Sequence, residues 1–72
     1  MATTELADSD KGFLEEAAAD RFSGLDLRFE GGPYIDELER LVDQGYLRKV
    51  THEYDYMVSY FLTDVGREAI GR

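Results

Sequence analysis

His52 is the only histidine in these 72 residues, and there is no cysteine. A thiolate nucleophile is therefore excluded, and so are disulfides and thiolate metal sites. His52, Glu53 and Asp55 could in principle offer metal ligands, but they sit on an expected turn without a second histidine. Asp8-Ser9-Asp10-Lys11-Gly12 has the opening of a calcium loop. That motif needs glycine at its sixth position, where Phe13 stands, and an acid at its twelfth, where Ala19 stands. No glycine-rich phosphate cradle is present. The chemistry on offer is that of binding: the expectation is a non-enzyme with no cofactor and no metal.

Charge decides what could be bound. Sixteen acidic residues against eight basic ones give a formal net charge of −8. Such a surface repels nucleic acid and anionic membranes at long range and attracts basic partners. Only Lys11 and Lys49 are lysines. Abundant Asp and Glu with scarce Lys resembles the surface chemistry of proteins from salt-loving organisms, which is an expectation about source. The N-terminal Met1-Ala2-Thr3-Thr4-Glu5 lacks the basic start and apolar stretch of a signal peptide. No apolar run approaches the ~18 residues of a membrane span. A cytoplasmic protein without a membrane partner is expected.

These groups must be positioned by one small domain, because 72 residues leave no room for a second. A chain this short buries only about 60% of the surface its unfolded form exposes, so its stability margin is thin. Residues 1–8 carry little pattern and are expected to fray, leaving 9–72 as the folded unit. Ser9 or Asp10 can cap a helix running to about Phe22, with Leu6, Phe13, Leu14, Ala17 and Ala18 on one side. Ser23-Gly24 would end it. Leu25-Asp26-Leu27-Arg28-Phe29-Glu30 alternates apolar and charged residues, the period of a half-buried strand. Gly31-Gly32-Pro33 punctuates it, and Pro33 suits the first turn of a helix.

The helix from Pro33 to about Gln44 has the clearest pattern, with Ile35, Leu38, Leu41 and Val42 in one stripe. Asp36 and Glu37 fall in its first turn, where the dipole favours negative charge. Gly45 is placed as a stop able to take the left-handed conformation. Strands at about 46–52 and 56–62 follow, joined by a polar turn around Glu53-Tyr54-Asp55. Thr63 can cap a last helix from Asp64 to Ile70, with Val65, Ala69 and Ile70 available for packing. The expected fold is a small α+β domain in the order α-β-α-β-β-α.

Two of these stretches resemble a known family. Glu37-Leu38-Glu39-Arg40-Leu41-Val42-Asp43-Gln44-Gly45-Tyr46-Leu47 resembles the end of the recognition helix in winged-helix transcriptional regulators of the MarR and PadR type. Tyr60-Phe61-Leu62-Thr63-Asp64-Val65-Gly66 looks like their second wing strand, with its closing Leu-Thr and nearby Gly. The likeness covers residues 34–70, about half the chain. It implies a winged-helix-like, DNA-associated regulator of transcription, with Arg40, Arg48, Lys49 and His52 as its contacts. The first half departs from that family. A helix-turn-helix needs another helix just before the recognition helix, and here that stretch reads as a strand.

The expected surfaces pull against the resemblance. At 100° per residue, the outward face of the 33–44 helix carries Asp36, Glu37, Arg40, Asp43 and Gln44. In the family's docking that face would enter the major groove, where carboxylates near phosphates are repelled and cations supply the binding energy. The alternative is an acidic protein-binding module, even a DNA-mimicking inhibitor of a nucleic-acid-binding protein. Its contacts would be Asp36, Glu37, Asp43, Tyr54 and Tyr56, and its partner a basic protein. Arg48 and Lys49 are adjacent and must point to opposite faces of the hairpin, so one serves structure and the other is free to bind. Tyr54, Tyr56 and Tyr60 cluster on the hairpin, where cross-strand aromatic packing explains most of them. An aromatic hairpin flanked by helices would also suit a homodimer.

Overall fold

A computed structural model describes residues 6–29 and 33–71. Helix α1 spans Asp8–Ala18, so it starts earlier and stops earlier than its sequence pattern indicates. Ala7 holds the N-cap position without a side-chain cap, so neither Ser9 nor Asp10 caps the helix. Asp10 is instead buried inside it. Leu6, expected in a frayed end, is half-buried against the core; residues 1–5 of that expected end lie outside the described residues.

The helix stops because Asp20 takes a positive φ of 61°. Asp20 N–H donates to the Ala17 carbonyl and Arg21 N–H to the Glu16 carbonyl, both at 3.0 Å. This is a Schellman closure, which satisfies the last carbonyls of the helix. Aspartate tolerates the left-handed region better than most residues, so the helix ends here and not at Ser23-Gly24. Leu14 and Ala17 face inward and Phe13 packs beside them, while Ala18 is exposed.

Strand β1 is only Leu25–Asp26. The alternating pattern through Phe29 does not extend it, because Asp26 folds the chain back on itself. Its carboxylate accepts from the backbone N–H of Arg28 at 2.9 Å, and Phe29 N–H donates to the Asp26 carbonyl at 3.0 Å. An aspartate that captures the amide two residues on competes directly with a strand ladder. Glu30, Gly31 and Gly32, expected to end the strand, lie outside the described residues. No helix forms among the described residues 19–29.

Helix α2 spans Pro33–Asp43. Leu38 and Leu41 are fully buried, with Ile35 and Val42 packed beside them. Gly45, at φ 89°, closes the helix with a second Schellman pair: Gly45 N–H to the Val42 carbonyl and Tyr46 N–H to the Leu41 carbonyl, each 3.0 Å. Strands β2 (Leu47–Thr51) and β3 (Met57–Leu62) then pair antiparallel, in register from Leu47 opposite Leu62 to Thr51 opposite Val58. β1 pairs with the other edge of β3, giving the sheet order β1-β3-β2. Phe22 continues that edge, its carbonyl accepting from Tyr60 N–H at 2.9 Å.

Helix α3 spans Asp64–Ala69. Thr63 caps it, accepting from Gly66 N–H at 3.0 Å, while its hydroxyl donates to the Gly45 carbonyl at 2.6 Å. One side chain thus starts α3 and ties it to the turn that ends α2. Gly66 is buried against the Tyr46 carbonyl, and a Cβ there would stand 2.2 Å from that oxygen. Ala69 and Ile70 pack inward as expected, but Val65 is exposed.

The described residues thus form a small α+β unit of three helices and a three-stranded antiparallel sheet. One sheet face, bearing Leu47, Val58 and Tyr60, closes on Leu14, Ala17, Phe22, Leu38 and Leu41 to form the core. Burial of these side chains drives folding at roughly 25 cal/mol per Å² of apolar surface. Among the described residues no helix is long and apolar enough to cross a membrane.

Candidate interaction surface

The outward face of α2 and the hairpin form the surface to which the sequence assigns binding. Each element contributes cations, and most of them are already engaged within the chain. Arg40 does not stand free beside Asp36 and Asp43, although it stays partly exposed. Its Nη2 donates to Asp10 at 2.5 Å and to Glu37 at 2.8 Å, so it bridges α2 to the buried carboxylate of α1. The two carboxylates hold the guanidinium well above its ordinary pKa, Glu37 contributing most. In return Arg40 holds the Glu37 carboxyl below its usual range. A flat helical wheel misses this because Arg40 reaches sideways to α1, thirty residues away in sequence.

On β2 the two adjacent cations separate as strand geometry requires. Lys49 turns toward α2 and pairs with Glu39 at 2.7 Å. Tyr60, directly opposite in register and fully buried, donates its hydroxyl to the same carboxylate at 2.5 Å. Burial pushes the Glu39 carboxyl up, but the hydrogen bonds from Lys49 and Tyr60 outweigh it and leave the group below its ordinary value. Tyr60 moves upward, from burial first and then from the neighbouring carboxylate. Tyr60 is therefore a core residue with a satisfied hydroxyl and not part of an exposed aromatic cluster. Arg48 lies on the opposite sheet face. It is exposed, with its guanidinium 5.2 Å from the Phe61 ring centroid, and it makes no ion pair among the described residues.

His52 lies at the end of β2. A ring nitrogen sits 2.6 Å from the hydroxyl of Ser59, which is fully buried and also accepts from Gly24 N–H at 2.8 Å. That contact ties the hairpin to the segment leading into β1. Asp36, Asp43, Glu53 and Asp55 are exposed and form no ion pair among the described residues. Summed over the surface, Arg40 and Lys49 are neutralised internally and these four carboxylates stay in water.

At the hairpin turn, Tyr54 and Tyr56 stack nearly parallel, 5.3 Å between centroids and 9° between planes. They are neighbours within the turn and not partners across the strands. An arginine from outside the hairpin packs on Tyr56, and no local sequence signal marks it. Arg28 places its guanidinium 3.8 Å from the Tyr56 centroid and 5.5 Å from that of Phe29. Asp26 holds the same guanidinium by two hydrogen bonds, at 2.8 and 3.1 Å. The hydrogen bonds from Arg28 in turn keep the Asp26 carboxyl below its usual range. The strand-like alternation of Asp26-Leu27-Arg28-Phe29 conceals a turn that carries its arginine to the hairpin turn.

A recess lies on the Arg48 side. It is an open groove of about 660 Å³ between the end of α1, β3 and the start of α3, lined in part by Asp20, Arg48, Phe61, Asp64 and Arg67. Arg67 is held there by Asp64 at 2.5 Å. Among the described residues no group of three or more His, Asp or Glu side chains is placed to hold a metal ion. No family model, curated protein or solved structure matches this chain.

Proposed function

We propose that this chain is a winged-helix-like regulatory module that works by docking a basic protein partner on its α2 and wing surface. One observation carries the reading: two of the three fixed cations of that surface, Arg40 and Lys49, are already spent on Asp10, Glu37 and Glu39, so that Arg48 alone is left against the four carboxylates Asp36, Asp43, Glu53 and Asp55 that remain in solvent. A surface so arranged attracts cations over a Debye length of about 8–10 Å at moderate salt. A regulator that occupies a nucleic-acid-binding protein, presenting carboxylates where DNA presents phosphates, fits this arrangement.

The second reading, a DNA-associated transcriptional regulator, has its own support. The stretches 37–47 and 60–66 resemble the end of the recognition helix and the second wing strand of the MarR and PadR type, and Arg48 stands exposed on the hairpin without an ion pair among the described residues. In that reading the wing, not α2, would grip the duplex, with Arg40, Lys49 and His52 in supporting positions.

Fluorescence anisotropy of a labelled random duplex at 50 and 200 mM salt, beside NMR titration with an oligolysine peptide, separates the two. The first reading expects no duplex binding and peptide shifts at Asp36 and Asp43 that are lost in D36N/D43N. Duplex binding that falls steeply with salt and disappears in R48A would replace it with the second.

A further inference from the structure

Within the reading of a basic protein partner, we propose that the hairpin turn is the docking point and that it selects arginine over lysine. The chain already displays the recognition chemistry on itself. Arg28 is held by an aromatic face, Tyr56 at 3.8 Å, and by a carboxylate, Asp26, through two hydrogen bonds. Guanidinium ions suit such a site because they are planar, weakly hydrated and able to stack while donating in plane. Tyr54 extends the stack beyond Tyr56, and 53% of its surface is open to solvent. On either side of Tyr54 in the chain stand Glu53 and Asp55, both exposed and neither in an ion pair among the described residues. The turn thus presents the same residue types, an exposed aromatic ring with carboxylates next to it in the chain, to an arginine from outside.

Phe29 enlarges the patch. It is 82% exposed and within 5.5 Å of the Arg28 guanidinium. Phe29 and Tyr56, both on the Arg28 guanidinium, together with Tyr54 stacked on Tyr56, give the apolar area that interfaces favour. Charge chooses the occupant. Arg28 is cancelled by Asp26, so Glu53 and Asp55 leave the turn net negative in a chain of net charge −8. A nucleic acid stacking on the tyrosines would bring its phosphates against these acids. An arginine-bearing peptide segment meets no such repulsion.

The test is an NMR titration of the full chain with acetyl-(Gly-Arg)₄-amide, the matching lysine peptide and a single-stranded oligothymidine. Expected are shifts at residues 28–29 and 53–56, with the arginine peptide binding about three- to fivefold tighter than the lysine peptide. Y54A should weaken arginine binding by a similar factor, Y54F should retain it, and E53Q/D55N should lower it without disturbing the aromatic stack. Shifts confined to Asp36 and Asp43 would overturn the turn as docking point while leaving the basic partner standing. Equal affinity for both peptides would overturn the selectivity. Silence toward both peptides, or oligothymidine binding at the turn, would overturn this site and the parent reading together.

Discussion

Helix α2 is fastened on its two sides by different means. Toward α1 the helix is held beside the core by a charged clamp, Asp10 to Arg40 to Glu37, in which one carboxylate is buried and the cation remains partly wet. Toward the sheet and α3 it is distributed. Glu39 accepts from both Lys49 and the buried Tyr60, Thr63 bonds the Gly45 and Tyr46 carbonyls, and Gly66 lets α3 lie directly on the Tyr46 carbonyl. The difference teaches how a small domain divides its polar groups. A clamp concentrated in one ion pair depends on charge state and on a single residue. A fastening shared among a phenol, an ammonium, a hydroxyl and a close backbone approach loses little when any one polar member is removed. Shape is its one unforgiving part.

That contrast can be broken in order of size. Gly66→Ala should be the most damaging change, because the new methyl meets a backbone oxygen that Thr63 holds in place. Overpacking of this kind costs about 2–3 kcal/mol, even after the helix propensity gained from alanine. In a domain of this size that lowers Tm by roughly 10–20 °C, read by circular dichroism; a fall of only a few degrees would show that α3 shifts freely.

Asp10→Ala tests the clamp. Removing one partner of a buried ion pair costs about 3–5 kcal/mol. Arg40 keeps Glu37 and some solvent, so a loss of about 2 kcal/mol in urea unfolding is expected. Asp10→Asn should recover part of it. Tyr60→Phe removes one member of the distributed set and should cost about 1 kcal/mol, since Lys49 still satisfies Glu39. A larger loss for Tyr60→Phe than for Asp10→Ala would reverse the comparison.

Acid should sharpen it further. Glu37 and Glu39 both have folded values below their ordinary 4.5. A carboxylate depressed on folding stabilises the native state above its unfolded pKa, and that stability is lost as pH falls through the folded value. Tm should therefore hold between pH 7 and about 5 and decline below about 4.5. The decline should be shallower in E37Q/E39Q than in the parent; an equal decline would place the acid sensitivity elsewhere.

The half of the molecule from Pro33 onward was legible because its signals are local. Leucine spacing, Gly45 after the last turn, alternating β residues and a capping threonine each act within a few residues of where they stand. The half before it was not. Asp20 ends α1 by adopting a left-handed conformation that a helical pattern running on to Phe22 conceals, and Asp26 turns a strand-like alternation into a bend. At the surface, the opposite destinations of Arg48 and Lys49 follow from strand geometry alone. The capture of Arg40 by Asp10 does not, since it depends on how two helices cross. Nor could a linear reading place Arg28 on the face of Tyr56, because that meeting is made by the sheet order and a side-chain turn.

Ser59 has a consequence for how the molecule opens. A strand of two residues has too few ladder bonds to keep its own position, and the Gly24 amide beside it hangs from a single buried oxygen. Loosening that oxygen frees the Gly24 amide between two ends that stay anchored, Phe22 in the core with its carbonyl on Tyr60 N–H and Leu27 with its N–H on the Tyr56 carbonyl at 2.7 Å. Local opening is therefore expected first at Gly24 and β1, which has two paired positions where β2 has five. Amide protons of Gly24 and β1 would exchange with solvent before those of β2 and β3.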